Sequence, residues 1–126
     1  MRNLTIIIAA LVSLMFICGL RGSAQEQEAS ETEMKKKLEF SKNILDGLVT
    51  EDFSKILENA EALNKLGRTK WLENESAAYR TQNQVFWFTT GTLALAAKDK
   101  NIDGATLSYT QMTHSCVNCH KLLRQL

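Results

Sequence analysis

Near the end of the chain stand Cys116, Val117, Asn118, Cys119 and His120. Two thiols three positions apart share one side of a helix. So placed, they can add to the two vinyl groups of a single haem, and the adjacent histidine is then held beneath the iron as an axial ligand. That chemistry needs this order and spacing, and it implies one covalently attached haem c on Cys116, Cys119 and His120.

Other uses of the pair fit less well. A thiol–disulfide exchange pair belongs at the N-terminus of a helix in an α/β fold, where the helix dipole lowers the thiol pKa. Here the pair lies late in the last helix. Zinc could take Cys116, Cys119 and His114 or His120, but no further Cys or His of the mature chain closes a four-ligand site. A disulfide across two helical residues is strained and leaves His120 unexplained.

The compartment suits covalent capture. Arg2 opens the chain, Leu4 to Leu20 is almost wholly apolar, and Gly22-Ser23-Ala24 follows. This is the order of a secretory signal peptide, 1–24, with cleavage after Ala24, which sends the protein to the periplasm or outside the cell. The competing reading is an uncleaved anchor, since the apolar run is about the shortest that spans a bilayer. Cys18 follows Ile17, where a lipid-attachment site calls for a small residue, and it goes with the discarded segment.

The 15 Lys and Arg against 14 Asp and Glu give a net charge of +1, with no basic block of the kind that binds nucleic acid. Cleavage removes Arg2 and Arg21 and no acid, leaving 13 against 14, or −1. Only Cys116 and Cys119 remain in a compartment where thiols oxidise or are captured.

What positions the motif is a set of helices, because the chain has no proline and no alternating β-branched run. Residues 25–32 read as a flexible polar leader and 33–126 as one domain. Met34, Leu38, Ser41, Leu45 and Leu48 form the stripe of a first helix, Glu33 to about Val49. Thr50 reads as the N-cap of a second helix, with Glu51 and Asp52 in its first turn. Its face is Phe53, Ile56, Leu57, Ala60, Leu63 and Leu66, and Gly67 reads as its left-handed end. A connection from Arg68 to about Asn74 holds Trp71. The third helix, about Glu75 to Lys98, carries Tyr79, Phe86, Leu93 and Ala97, with Val85, Phe88 and Ala96 widening the stripe. Asn101, Asp103 and Gly104 mark a turn, and the fourth helix carries Leu107, Val117 and His120. Four such helices bury their stripes only against one another, so an all-α antiparallel four-helix bundle is expected.

On a helical bundle with CxxCH near the C-terminus and Arg124 four residues past the haem histidine, the mature chain resembles the class II c-type cytochromes, the cytochrome c-prime group, over nearly its whole length. The resemblance implies haem near one end of the bundle, Arg124 beside the proximal imidazole, and homodimers through the first two helices. The chain departs from the family in length and in its first helix, which offers lysines where the family has an arginine near a haem propionate.

Topology places the start of the first helix at the same end as His120. Met34 and Leu38 then reach a similar depth, joined by Leu63, Leu66, Trp71 and Tyr79 from the second and third helices. Met34 and Met112 are the only methionines of the mature chain, and Met112 shares a helix with His120, so Met34 is the one sulfur that can reach the opposite haem face. Ligation by Met34 gives a low-spin iron suited to electron transfer with a redox partner protein. An apolar cover such as Leu38 leaves a five-coordinate iron that binds a diatomic gas, nitric oxide or carbon monoxide. Electron transfer is the leading expectation. No nucleophile, base or substrate pocket appears elsewhere, so no catalytic residue is expected, and His114 faces solvent. The Lys35 to Lys37 run reads as a solvated face able to steer an acidic partner.

Overall fold

The computed structural model describes residues 28, 31–73 and 76–124. Residues 1–24, expected to be a signal peptide, and the expected cleavage site after Ala24 lie outside these. Four helices follow one another: α1 (31–50), α2 (Phe53–Glu73), α3 (Ala77–Lys98) and α4 (Ile102–Leu123), with no strand among the described residues. The chain divides into two compact units, Met1–Lys36 and Lys37–Leu126. In the first, Thr32 donates to the Glu28 carbonyl and Lys35 pairs with Glu31. The helix therefore begins inside the segment expected to be a loose leader.

The second unit is an antiparallel bundle, and its register is readable from side-chain links. Asn43 Nδ2 donates to Asn59 Oδ1 across α1 and α2 at 3.1 Å. Asn64 Nδ2 reaches the Trp87 carbonyl across α2 and α3 at 2.8 Å, and the Tyr109 hydroxyl of α4 meets Ser41 of α1 at 3.3 Å. The apolar core consists of Ile44, Ile56, Ala60, Leu63, Phe86, Leu93, Ala97, Ala105 and Met112, which repeat at helical spacing on each element. No buried side-chain nitrogen or oxygen lacks a hydrogen-bond partner among the described residues.

Two glycines let helices approach closely. A Cβ on Gly47 would lie 2.9 Å from Ile56 Cγ1, and one on Gly67 would lie 3.1 Å from Phe86 Cδ1. Gly67 is thus a packing residue inside α2 and not its left-handed end. The helix continues to Glu73, so Trp71 belongs to its last turns and not to a connection.

The turns also differ from expectation. Thr50 ends α1, its hydroxyl donating to the Asp46 carbonyl at 2.8 Å, while Asp52 accepts from the Lys55 N–H at 3.0 Å and caps α2. Both tight turns close on left-handed residues that are not glycine, Glu51 (φ 52°) and Lys100 (φ 55°). Such a conformation costs a non-glycine residue about 1–2 kcal/mol, which explains why residue type did not announce it. Asn101 caps α4 through Gly104 N–H at 2.9 Å, so Asp103 and Gly104 lie in its first turn.

Two stripes are rotated from their expected positions. On α1 the inward face is Lys37, Phe40, Ser41, Ile44 and Gly47, whereas Leu38 and Leu45 are exposed. On α4 it is Ala105, Ser108, Met112 and Ser115, whereas Leu107, Val117 and His120 are exposed. Val85 and Phe88 of α3 also face outward.

These faces predict a sharp contrast two residues apart. Leu93→Ala, fully buried, is expected to cost about 2–5 kcal/mol in chemical denaturation, and Leu95→Ala, exposed, no more than about 0.5 kcal/mol.

Candidate functional site

Cys116 and Cys119 stand in the last turns of α4. The inward face of α4 runs Ala105, Ser108, Met112 and Ser115 at alternating spacings of three and four, and its continuation turns both cysteines toward the bundle. Both thiols are free and half-buried, and Cys116 packs against the apolar core. His120 follows directly, exposed, one turn beyond Cys116. The Ser115 hydroxyl between them and the core donates to the Met112 carbonyl at 2.7 Å.

Lys37 completes the arrangement. It shares the inward face of α1, and its Nζ sits 5.9 Å from the centre of the Phe86 ring. Burial pushes the Cys116 thiol above its ordinary pKa and Cys119 adds to the rise, while the Lys37 charge works against both. Cys119 is raised by burial too, again opposed by Lys37. This lysine was legible only as part of a basic run. The signal for its true place is its spacing of three, four and seven from Phe40, Ser41 and Ile44.

The other expected site residues are dispersed. Leu63 is fully buried in the apolar core, and Leu66 and Tyr79 are half-buried at the same end of the bundle as the cysteines. Trp71 faces Trp87 with ring centres 6.3 Å apart, Arg80 lying over Trp71 and Arg68 over Trp87. Arg124 is exposed at the C-cap, its backbone N–H donating to the His120 carbonyl at 3.3 Å. Leu38 is 57% exposed. Met34 lies in the first turn of α1, within the Met1–Lys36 unit. His114 is exposed, with Asn118 Nδ2 at 3.2 Å from its Nδ1.

The core is lopsided about this site. Beyond Leu63 on α2, ahead of Phe86 on α3 and after Met112 on α4, the buried residues are Gly67, Asn83 and Ser115, all small or polar. The half of the bundle that carries the thiols therefore fully buries no large apolar side chain among the described residues, and its large apolar groups, Leu66, Trp71 and Tyr79, are half-buried. Two half-buried thiols and an adjacent exposed imidazole have the donor set that could hold a macrocycle through two thioethers and one nitrogen ligand. A bare metal ion fits less well, since no group of three His, Cys, Asp or Glu among the described residues is arranged to hold one.

No protein-family model matches the chain, and neither a curated protein nor a solved structure matches it.

The raised thiols make a prediction for the protein with both cysteines free. Iodoacetamide labelling is expected to be slow at pH 7 and to climb about tenfold per pH unit to beyond the ordinary thiol pKa, with Lys37→Gln slower still at each pH because the opposing charge is gone. Peptide mass spectrometry reads the rates. Labelling as fast as a free cysteine peptide at pH 7 would contradict the burial of the pair.

Proposed function

We propose that the protein is an exported monohaem c-type cytochrome, similar to the class II group, that transfers single electrons to and from a redox partner protein. The observation that supports this most is the placing of the half-buried thiols of Cys116 and Cys119 on the bundle side of α4, with His120 directly after them, in the half whose fully buried residues on α2, α3 and α4 are the small or polar Gly67, Asn83 and Ser115. A haem held there supplies a one-electron iron couple. Export rests on the pattern of residues 1–24.

In this reading Cys116 and Cys119 bind covalently, and His120 offers an imidazole nitrogen as the proximal ligand. Leu63, Phe86 and Met112 form a dry floor that keeps water from the site. The Arg124 N–H holds the His120 carbonyl and so anchors the turn that orients the imidazole. Lys37 places one positive charge beside the thiols and the Phe86 ring, where it favours anionic groups. Electron transfer calls for a thioether as the second ligand, which residue pattern assigns to Met34, and gas binding calls for an apolar cover such as Leu38.

The purified protein is expected to keep its colour with the polypeptide after acid–acetone extraction, and the Cys116→Ala, Cys119→Ala double variant to yield little coloured protein. Colour in the organic layer refutes covalent attachment. Met34→Ala should convert a low-spin absorption spectrum to a high-spin one, lower the potential and admit carbon monoxide. A parent that is already high-spin makes Met34 a packing residue and favours gas binding, and a variant that stays low-spin requires another ligand.

A further inference from the structure

Charge is segregated along the bundle of the Lys37–Leu126 unit. The level marked by Leu63, Phe86 and Met112 divides it into a half that carries the cysteines and a half that carries the turns after α1 and α3. The cysteine half holds Lys37 on α1, Lys65, Arg68 and Lys70 on α2, Arg80 on α3, and Lys121 and Arg124 on α4, against the carboxylates Glu39 and Glu73. Counting Glu75, which lies outside the described residues, leaves seven cations against three anions. In the opposite half seven carboxylates, among them Asp46, Asp52, Glu58 and Asp103, outnumber the four lysines 42, 55, 98 and 100.

The cations are presented firmly. Arg68 and Arg80 are stacked on Trp87 and Trp71 at 5.3 and 5.1 Å, which fixes two guanidinium planes. The same half also exposes single apolar side chains, Leu72 of α2 and Val117 and Leu123 of α4. Cations interspersed with scattered apolar side chains suit a polar, transient protein contact, which owes its steering to charge. A membrane-binding face instead needs a continuous apolar stripe that sinks into the headgroups, and here Trp71 and Trp87 are half-buried beneath arginines.

We propose that the cysteine-bearing end of the bundle is the electron-transfer docking surface and that its partner is a protein with an acidic patch. The proposal rests on the cytochrome reading above for its role, though not for its charge. Because the two ends nearly cancel, net charge predicts no steering, and any steering reports the local end. The weak, polar character of such contacts suits a partner that must also leave.

Stopped-flow oxidation of the ferrous protein by anionic hexacyanoferrate(III) and by cationic tris(phenanthroline)cobalt(III) reads the field at the transfer site. Raising ionic strength from about 10 mM to about 500 mM is expected to slow the anion on the order of tenfold and to speed the cation. Lys65→Glu with Lys121→Glu should remove most of that salt dependence. Lys98→Glu with Lys100→Glu changes net charge equally at the far end and should leave it nearly intact. Flat salt dependence, or equal effects of the two pairs, overturns the proposal. Poly-glutamate titrated calorimetrically at low salt needs no haem: binding lost in Lys65→Glu/Lys121→Glu supports the basic end even if the protein carries no haem. Binding to phosphatidylglycerol vesicles without binding to poly-glutamate overturns the acidic protein partner in favour of a membrane surface.

Discussion

Ile56, Leu63, Leu93 and Met112 close one half of the bundle, and the rest of the molecule is arranged around the fact that nothing of their size is fully buried in the other half. Fully burying a large aliphatic side chain contributes about 1.5–3 kcal/mol, so the end with the fully buried side chains contributes more to holding the helices together than the end where large side chains are half-buried. Its helices nonetheless continue through that end for several turns. Polar links hold them there, with Asn83 Nδ2 donating to the Gly67 carbonyl at 2.7 Å and the Trp71–Trp87 contact tying α2 to α3. That half is thus held by polar and half-buried aromatic contacts, where the other is held by fully buried aliphatic side chains.

The same contacts set the order in which the site is defined. Asn43–Asn59 and the Gly47–Ile56 approach lock α1 to α2 at the filled end, and Ser41–Tyr109 locks α1 to α4 in the middle. Once these are set, the rotation of α1 is no longer free. Lys37 then falls on the inward face with Phe40 and Ile44, while Leu38 is carried outside. The position of one positive charge beside the thiols is therefore a consequence of packing two and three turns away.

Much of this was legible from residue pattern, and the failures have physical causes. The helix count, the absence of strands and the cores of α2 and α3 follow from apolar periodicity, because Ile56, Ala60, Leu63, Phe86 and Leu93 are spaced for one face. Leu38, Leu45, Leu107 and Val117 were misplaced because hydrophobic character alone does not choose between two neighbouring faces. The choice is made by small and polar residues that pack well, such as Gly47, Ser108 and Ser115. Thr50 and Gly67 have the residue types of caps, yet the cap is Asp52 and the glycine serves a close helix contact. The CxxCH spacing was plain from the sequence, whereas the lopsided core beside it could be seen only once the helices were set against one another.

The place of the cysteines in α4 also discriminates among the chemistries open to such a pair. Thiol–disulfide exchange works through the thiolate, and proteins that use it put the attacking sulfur at a helix N-terminus to stabilise that anion. Here both sulfurs are at the opposite end of a helix, where the dipole disfavours negative charge and favours a cation such as Lys121 of the last turn. Partial burial raises both thiols further, and Lys37 offsets only part of the rise. Such sulfurs are poor at cycling between oxidised and reduced forms. Sulfurs placed in this way, half-buried and followed directly by an exposed imidazole, are better suited to a lasting bond than to repeated exchange.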